Sequence, residues 1–123
     1  LMFPAAVDTA KRAQKDYVFG IRQFGAAKAW PLDAFKRTAV INDRAGAVNI
    51  VLIGDPDGRT VRAYERGELE FGADLTAGGA QWTRSEDALS APDGRTLPRV
   101  AGHIAYWFAW DNYVGDAGEV YGG

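Results

Sequence analysis

The chain has 123 residues, 47% hydrophobic and 24% charged, with a formal net charge of −2 and an isoelectric point near 5.3. Those values suit one globular domain with a real core. The acidic balance argues against a dedicated nucleic-acid binder, which carries a basic patch to neutralise phosphates. No stretch reaches the roughly 20 apolar residues of a membrane helix. Zero cysteines exclude thiol nucleophiles, dithiol redox chemistry, iron–sulfur clusters and cysteine-ligated zinc.

Residues 1–16 read as an arm or processed segment. Leu1 to Val7 lacks the charged n-region of a complete signal peptide and suits part of a longer precursor. Asp8 to Asp16 is polar enough for a short, loose helix. Residues 17–123 read as a single β-rich domain, without an internal repeat, a low-complexity tract or a linker between two cores.

Tyr17 to Phe24 is rich in strand formers and ends at Gly25; Lys28-Ala29-Trp30 follows a tight turn. Pro31 pushes Trp30 toward an extended conformation. Leu32 to Lys36 suits one helical turn, Ala39 to Ile41 a short strand, and Asn42 to Gly46 a turn. Val48 to Ile53 is an apolar run broken only by Asn49, as expected of a buried central strand. Asp55-Pro56-Asp57-Gly58 is a strong turn signal, and Thr60 to Arg66 alternates after it, so the two runs predict a hairpin.

Glu68 to Phe71 is a further candidate strand, Leu75 to Ala80 a glycine-rich loop, and Gln81 to Thr83 a short strand. Ser85 to Leu89 suits a brief helix, and Ala91-Pro92-Asp93-Gly94 a second turn. Ile104 to Trp110 fits either a buried strand or a helix. Tyr106, Trp110 and Tyr113 recur at i, i+4 and i+7, which favours a helix ending near Gly115.

The order of Gly25-Ala26-Ala27-Lys28-Ala29-Trp30-Pro31-Leu32, Val40-Ile41-Asn42-Asp43, Arg62-Ala63-Tyr64-Glu65-Arg66 and Phe71-Gly72 resembles the bacterial and archaeal family called domain of unknown function 3179. Trp82, Asp93-Gly94, Leu97-Pro98-Arg99 and the aromatic stretch before Gly115-Asp116 fit the same order, so the resemblance spans about Tyr17 to Tyr121. Many members of that family carry a Cys-Pro-x-Cys motif, which falls here on Asp55-Pro56-Asp57-Gly58. The proline is kept and both cysteine positions are replaced. The resemblance therefore implies a scaffold rather than cysteine chemistry. It also implies an extracytoplasmic setting, in the periplasm or at the cell surface.

His103 is the only histidine, and its titration range suits a general base or a metal ligand. No Ser or Cys makes a motif with it, and such sites need several convergent groups. Asp43, Asp55 and Asp57 are oxygen donors suited to a hard cation, but without EF-hand spacing; turn formation is the simpler reading of all three. Glu68 and Glu70 share a strand face without marking a glycosidase cleft. Gly72 to Gly79 lacks the lysine of a phosphate loop. The aromatics mostly suit a core, while Tyr106, Trp107, Trp110 and Tyr113 are candidate contact residues for a protein partner.

The expected architecture is mainly β: a compact barrel- or roll-like antiparallel sheet of about seven short strands with a C-terminal helix packed across it. The expected function is that of a non-catalytic binding or interaction domain of the cell envelope, or an accessory subunit of a larger assembly, with no cofactor. The rival expectation is an enzyme or metal-binding protein using His103 with Asp43, Asp55 and Asp57.

Overall fold

A computed structural model describes residues 16–115 and 118–122. The expected arm lies outside the described residues, apart from Asp16. Strands β1 (Tyr17–Gln23) and β2 (Ala26–Pro31) form the first hairpin. Phe24 and Gly25 between them both have positive φ, 59° and 72°. That is the primed turn whose twist matches the strands it joins. A 3-10 turn (Leu32–Lys36) follows, then β3 (Val40–Ala45), β4 (Val48–Asp55) and β5 (Thr60–Glu65) as an antiparallel meander.

Short strands then cover one side: β6 (Thr76–Ala77), β7 (Ala80–Gln81), β8 (Thr83–Arg84) and β9 (Ala88–Ser90). The chain returns through β10 (Thr96–Val100) and β11 (His103–Tyr106), turns into helix α1 (Trp107–Val114) and ends in β12 (Gly118–Val120). Two main sheets result, one in the order β11-β1-β2-β12 and the other in the order β3-β4-β5-β10-β9-β8, beside the small β6-β7 hairpin.

The alternation of side chains along each strand sorts the core into three. Phe19, Ile21 and Trp30 of the first sheet meet Ile41, Ile50, Leu52, Val61 and Ala63 of the second, and this is the central core. The opposite face of β4 carries Val51 and Ile53, which pack with Tyr64, Phe71, Trp82 and Leu89 under the segment from residue 69 to residue 91. The opposite face of the first hairpin carries Val18, Ala27 and Ala29, which Trp110 of α1 covers. Both sheets are thus covered on both faces, which is why Ile50 to Ile53 is apolar without interruption rather than alternating.

Helix α1 is seated by a missing side chain. A Cβ at Gly20 would lie 2.2–2.6 Å from three atoms of the Trp110 ring. Trp110 therefore lies flat on the β1 backbone and is 1% exposed. Only glycine leaves room for that approach.

The mainly β class and the C-terminal helix are present, and the arrangement is roll-like. Five points of the sequence reading are corrected. The described residues form twelve strands rather than about seven, because several are only two or three residues long. The sheets stack and leave open edges, so there is no closed barrel, and β12 runs parallel to β2, so pairing is not wholly antiparallel. β3 continues through Asn42 and Asp43, and the turn falls at Gly46 and Ala47. Ser85 to Leu89 is a bend leading into β9 rather than a helix.

Smaller shifts accompany these. Glu68 to Phe71 is not a strand, and the glycine-rich segment contains the β6-β7 hairpin. Trp82 separates two strands instead of continuing one. The aromatic stretch is divided: it is strand up to Tyr106 and helix from Trp107.

Candidate functional site

Asn42 and Asp43 are neighbours in a strand, so their side chains leave β3 on opposite faces. Asn42 bonds both backbone groups of Phe71: its amide donates to the Phe71 carbonyl at 2.9 Å, and its carbonyl accepts the Phe71 N–H at 2.9 Å. It acts as one rung of a missing strand. Asp43 points the other way, into the margin of the central core. There it accepts the Trp30 indole N–H at 2.8 Å and pairs with Lys28 Nζ at 3.0 Å, with both charged side chains less than a fifth exposed. One dipeptide therefore fastens β3 to the outer segment and to the first sheet.

Arg66 fixes the same region from the end of β5. Its guanidinium donates to the carbonyls of Ile50 (2.7 Å), Leu69 (2.8 Å) and Asp43 (3.0 Å). Tyr64 donates to the Ser85 carbonyl at 2.7 Å. Burial pushes the Tyr64 phenol above the usual tyrosine range, against the opposing pull of Arg84, Arg62 and Arg99.

That shift carries a pH dependence. The folded state favours the neutral phenol, so its contribution is complete below the unfolded value of about 10 and is lost as pH rises through the higher folded value. Denaturant titrations across that alkaline range should show stability falling more steeply for the parent than for Tyr64→Phe. At neutral pH the same substitution should cost about 1 kcal/mol for the lost hydrogen bond. Equal alkaline slopes would exclude Tyr64 as the source.

The positions that the resemblance aligns with a cysteine pair lie where β4 runs into the following turn. Asp55 Oδ1 accepts the backbone N–H groups of Asp57 (3.1 Å) and Gly58 (3.3 Å). The side chain thus closes an Asx turn. A Cβ built on Gly58 would stand 3.0 Å from Asp55 Oδ2 and 3.5 Å from its Cγ. Side chains at 55 and 58 are therefore aimed at one another. In this chain the second is absent.

Beyond the turn lies a cleft of about 340 Å³ between Leu32, Asp33 and Lys36 on one side and Pro56, Asp57 and Arg59 on the other. Tyr17 lines it as well, and its ring stacks on Tyr106 at 4.8 Å between centroids. Arg59, held at φ 53°, lies 4.5 Å over the Tyr17 ring and donates to its hydroxyl at 2.9 Å. An arginine in the left-handed region is an uncommon conformation. Here it aims the guanidinium back across the cleft mouth.

His103 is exposed on β11, opposite Gly20 of β1, with its ring 5.8 Å from that of Trp110. The hollow beside it is lined by Gly20, Arg22, Gln23, Ala101, Gly102 and Tyr113 and, among the described residues, by no carboxylate. Asp43 is engaged with Lys28 and Trp30, and Asp55 with its own turn. Asp57 borders the cleft. The four side chains named as a candidate metal or catalytic set thus do not converge: Asp55 and Asp57 share one turn, while Asp43 and His103 have other neighbours. Among the described residues no group of three or more His, Asp or Glu is placed to hold a metal ion.

The four aromatic candidates divide as well. Tyr106 is 47% and Tyr113 58% exposed, Trp107 is half-buried, and Trp110 is a buried anchor. Phe108, not singled out from sequence, is 55% exposed. Helical phase could have suggested it, because a position two residues before a buried Trp110 points away from the sheet.

The chain matches no curated protein and no solved structure. A family model described as protein of unknown function (DUF3179) does match it, over residues 1–117. That span holds every element from β1 to α1, including Trp30, the Asn42-Asp43 dipeptide and Arg66. The side chains that carry the resemblance are largely those that fasten the two sheets together, and the chain belongs to the DUF3179 family.

Proposed function

We propose that this chain is a non-catalytic binding domain that meets a protein partner through the aromatic segment from Tyr106 to Tyr113, as an accessory part of an assembly in the cell envelope. One contrast carries the reading. The polar side chains of the sequence motifs are engaged inside the fold, whereas Tyr106, Phe108 and Tyr113, all within eight residues, remain about half exposed. Aromatic side chains are the groups that most often anchor protein interfaces. The envelope setting, periplasmic or at the cell surface, rests on the family resemblance.

No observation favours the rival reading, in which His103 works with Asp43, Asp55 and Asp57, because among the described residues no three of them converge on one point. A photo-crosslinking residue placed at Phe108 in the producing cell tests the proposal. It should give one discrete adduct, while the same residue at the exposed Arg95 should give none. The pair Phe108→Ala and Tyr113→Ala should abolish partner binding while changing stability by less than about 1 kcal/mol, since both side chains are solvent-facing. Failure to crosslink at Phe108, or turnover of a substrate that a His103 or Asp57 substitution abolishes, would overturn it.

A further inference from the structure

Arginines gather on the face of the second sheet away from the first. Arg62 lies on β5, Arg99 is paired with Tyr64 on the neighbouring β10, and Arg84 lies on β8. Arg62 and Tyr64 share a strand face by alternation, and register brings Arg99 beside them. All three arginines lie within electrostatic reach of the Tyr64 phenol.

A single carboxylate answers them. Glu86 accepts Arg62 Nη2 at 2.7 Å through Oε1 and lies 3.6 Å from Arg99 Nη1, which also donates to the Glu86 carbonyl at 3.1 Å. Arg84 has no ion-pair partner among the described residues. Asp87 adjoins in sequence, and its backbone carbonyl accepts the Arg99 N–H at 3.1 Å. Beside Glu86 opens a hollow of about 240 Å³, lined by Ile53, Thr60, Arg62, Arg84 and Ser85. Thr60 thus stands with two guanidinium groups around one space, while the Ser85 hydroxyl is engaged with Ala88, donating to its carbonyl at 2.9 Å.

We infer that this hollow is a binding site for a compact oxyanion of the phosphate class, held by Arg62 and Arg84, with Arg99 steadying Glu86, the internal carboxylate that the anion displaces. Guanidinium forks match the oxygens of phosphate in two parallel bonds. Glu86 is 61% exposed and lies in a bend outside regular structure. It can swing away without disturbing a strand. The site is separate from the aromatic segment and does not depend on a partner there.

The test is a titration of the isotopically labelled protein with inorganic phosphate at ionic strength held constant by chloride, followed through amide and arginine Nε–H resonances. Saturable shifts at Arg62, Arg84, Arg99, Ser85 and Glu86 are expected. Arg84→Ala should weaken binding about tenfold, the loss of one charge-assisted contact. Glu86→Gln should tighten it by removing the competing carboxylate.

Phenyl phosphate serves as a second probe. Tighter binding than inorganic phosphate marks an ester-borne group as the ligand, and equal binding marks the free anion. Shifts that grow linearly without saturating, that chloride alone reproduces, or that persist unchanged in Arg84→Ala would overturn the inference. All three side chains are at least partly exposed, so the variants should remain folded.

Discussion

Replacing Arg66 by alanine should lower the stability of the domain by about 3 kcal/mol, the largest effect expected of any charged side chain here. The magnitude comes from three carbonyls, those of Asp43, Ile50 and Leu69, which lose a charged donor at once. Each such bond contributes roughly 1.5–3 kcal/mol, and partial access of water to the region discounts the sum. Arg66→Lys should recover only part of the loss, because one ammonium does not reproduce a planar fork. Chemical denaturation monitored by tryptophan fluorescence would measure both. A loss below about 0.5 kcal/mol for the alanine variant, the range of an ordinary surface change, would remove Arg66 from its structural role.

The second large effect concerns the seat of the helix. Gly20→Val places atoms where the Trp110 ring lies, at distances no side chain tolerates. The ring must leave, and with it the cover over Val18, Ala27 and Ala29. A cost of about 3 kcal/mol is expected, near the upper end for overpacking. The decisive measurement is the double variant. With Trp110→Ala present, Gly20→Val should cost much less than alone, because the colliding ring is gone. Additive losses would mean that Gly20 matters for some reason other than the approach of Trp110.

Much of the fold was legible because local and tertiary preferences agree. Asp55 to Gly58 is turn chemistry, and it joins two strands that pair over six positions. The agreement breaks at Asn42 and Asp43, which are turn formers in isolation. Here their side chains bond Phe71, Trp30 and Lys28 rather than their own backbone, so the strand runs on through them. No local signal announces a partner 29 residues away.

The aromatic stretch failed differently. An apolar run of that length fits strand and helix alike, and the chain uses both, changing at Tyr106. Of the candidate site, the helical spacing groups Tyr106, Trp110 and Tyr113 and so does not separate the exposed tyrosines from the buried Trp110, whose burial depends on a glycine 90 positions earlier that sequence alone does not connect to it. The arginine cluster was invisible for the same reason. Its members come from three strands brought together only by register.

The family match stops at residue 117, yet β12 begins at residue 118 and pairs in parallel with β2 through Gly118, Glu119 and Val120. The outer edge of the first sheet is therefore closed by residues beyond the portion that defines the family. A domain cut at the family limit would leave the backbone groups of Ala27 to Ala29 without those partners, an adhesive border of the kind that recruits foreign strands. The end of the matched span and the end of the strand pairing on β2 are thus different lines. Between them lies a latch only three residues long.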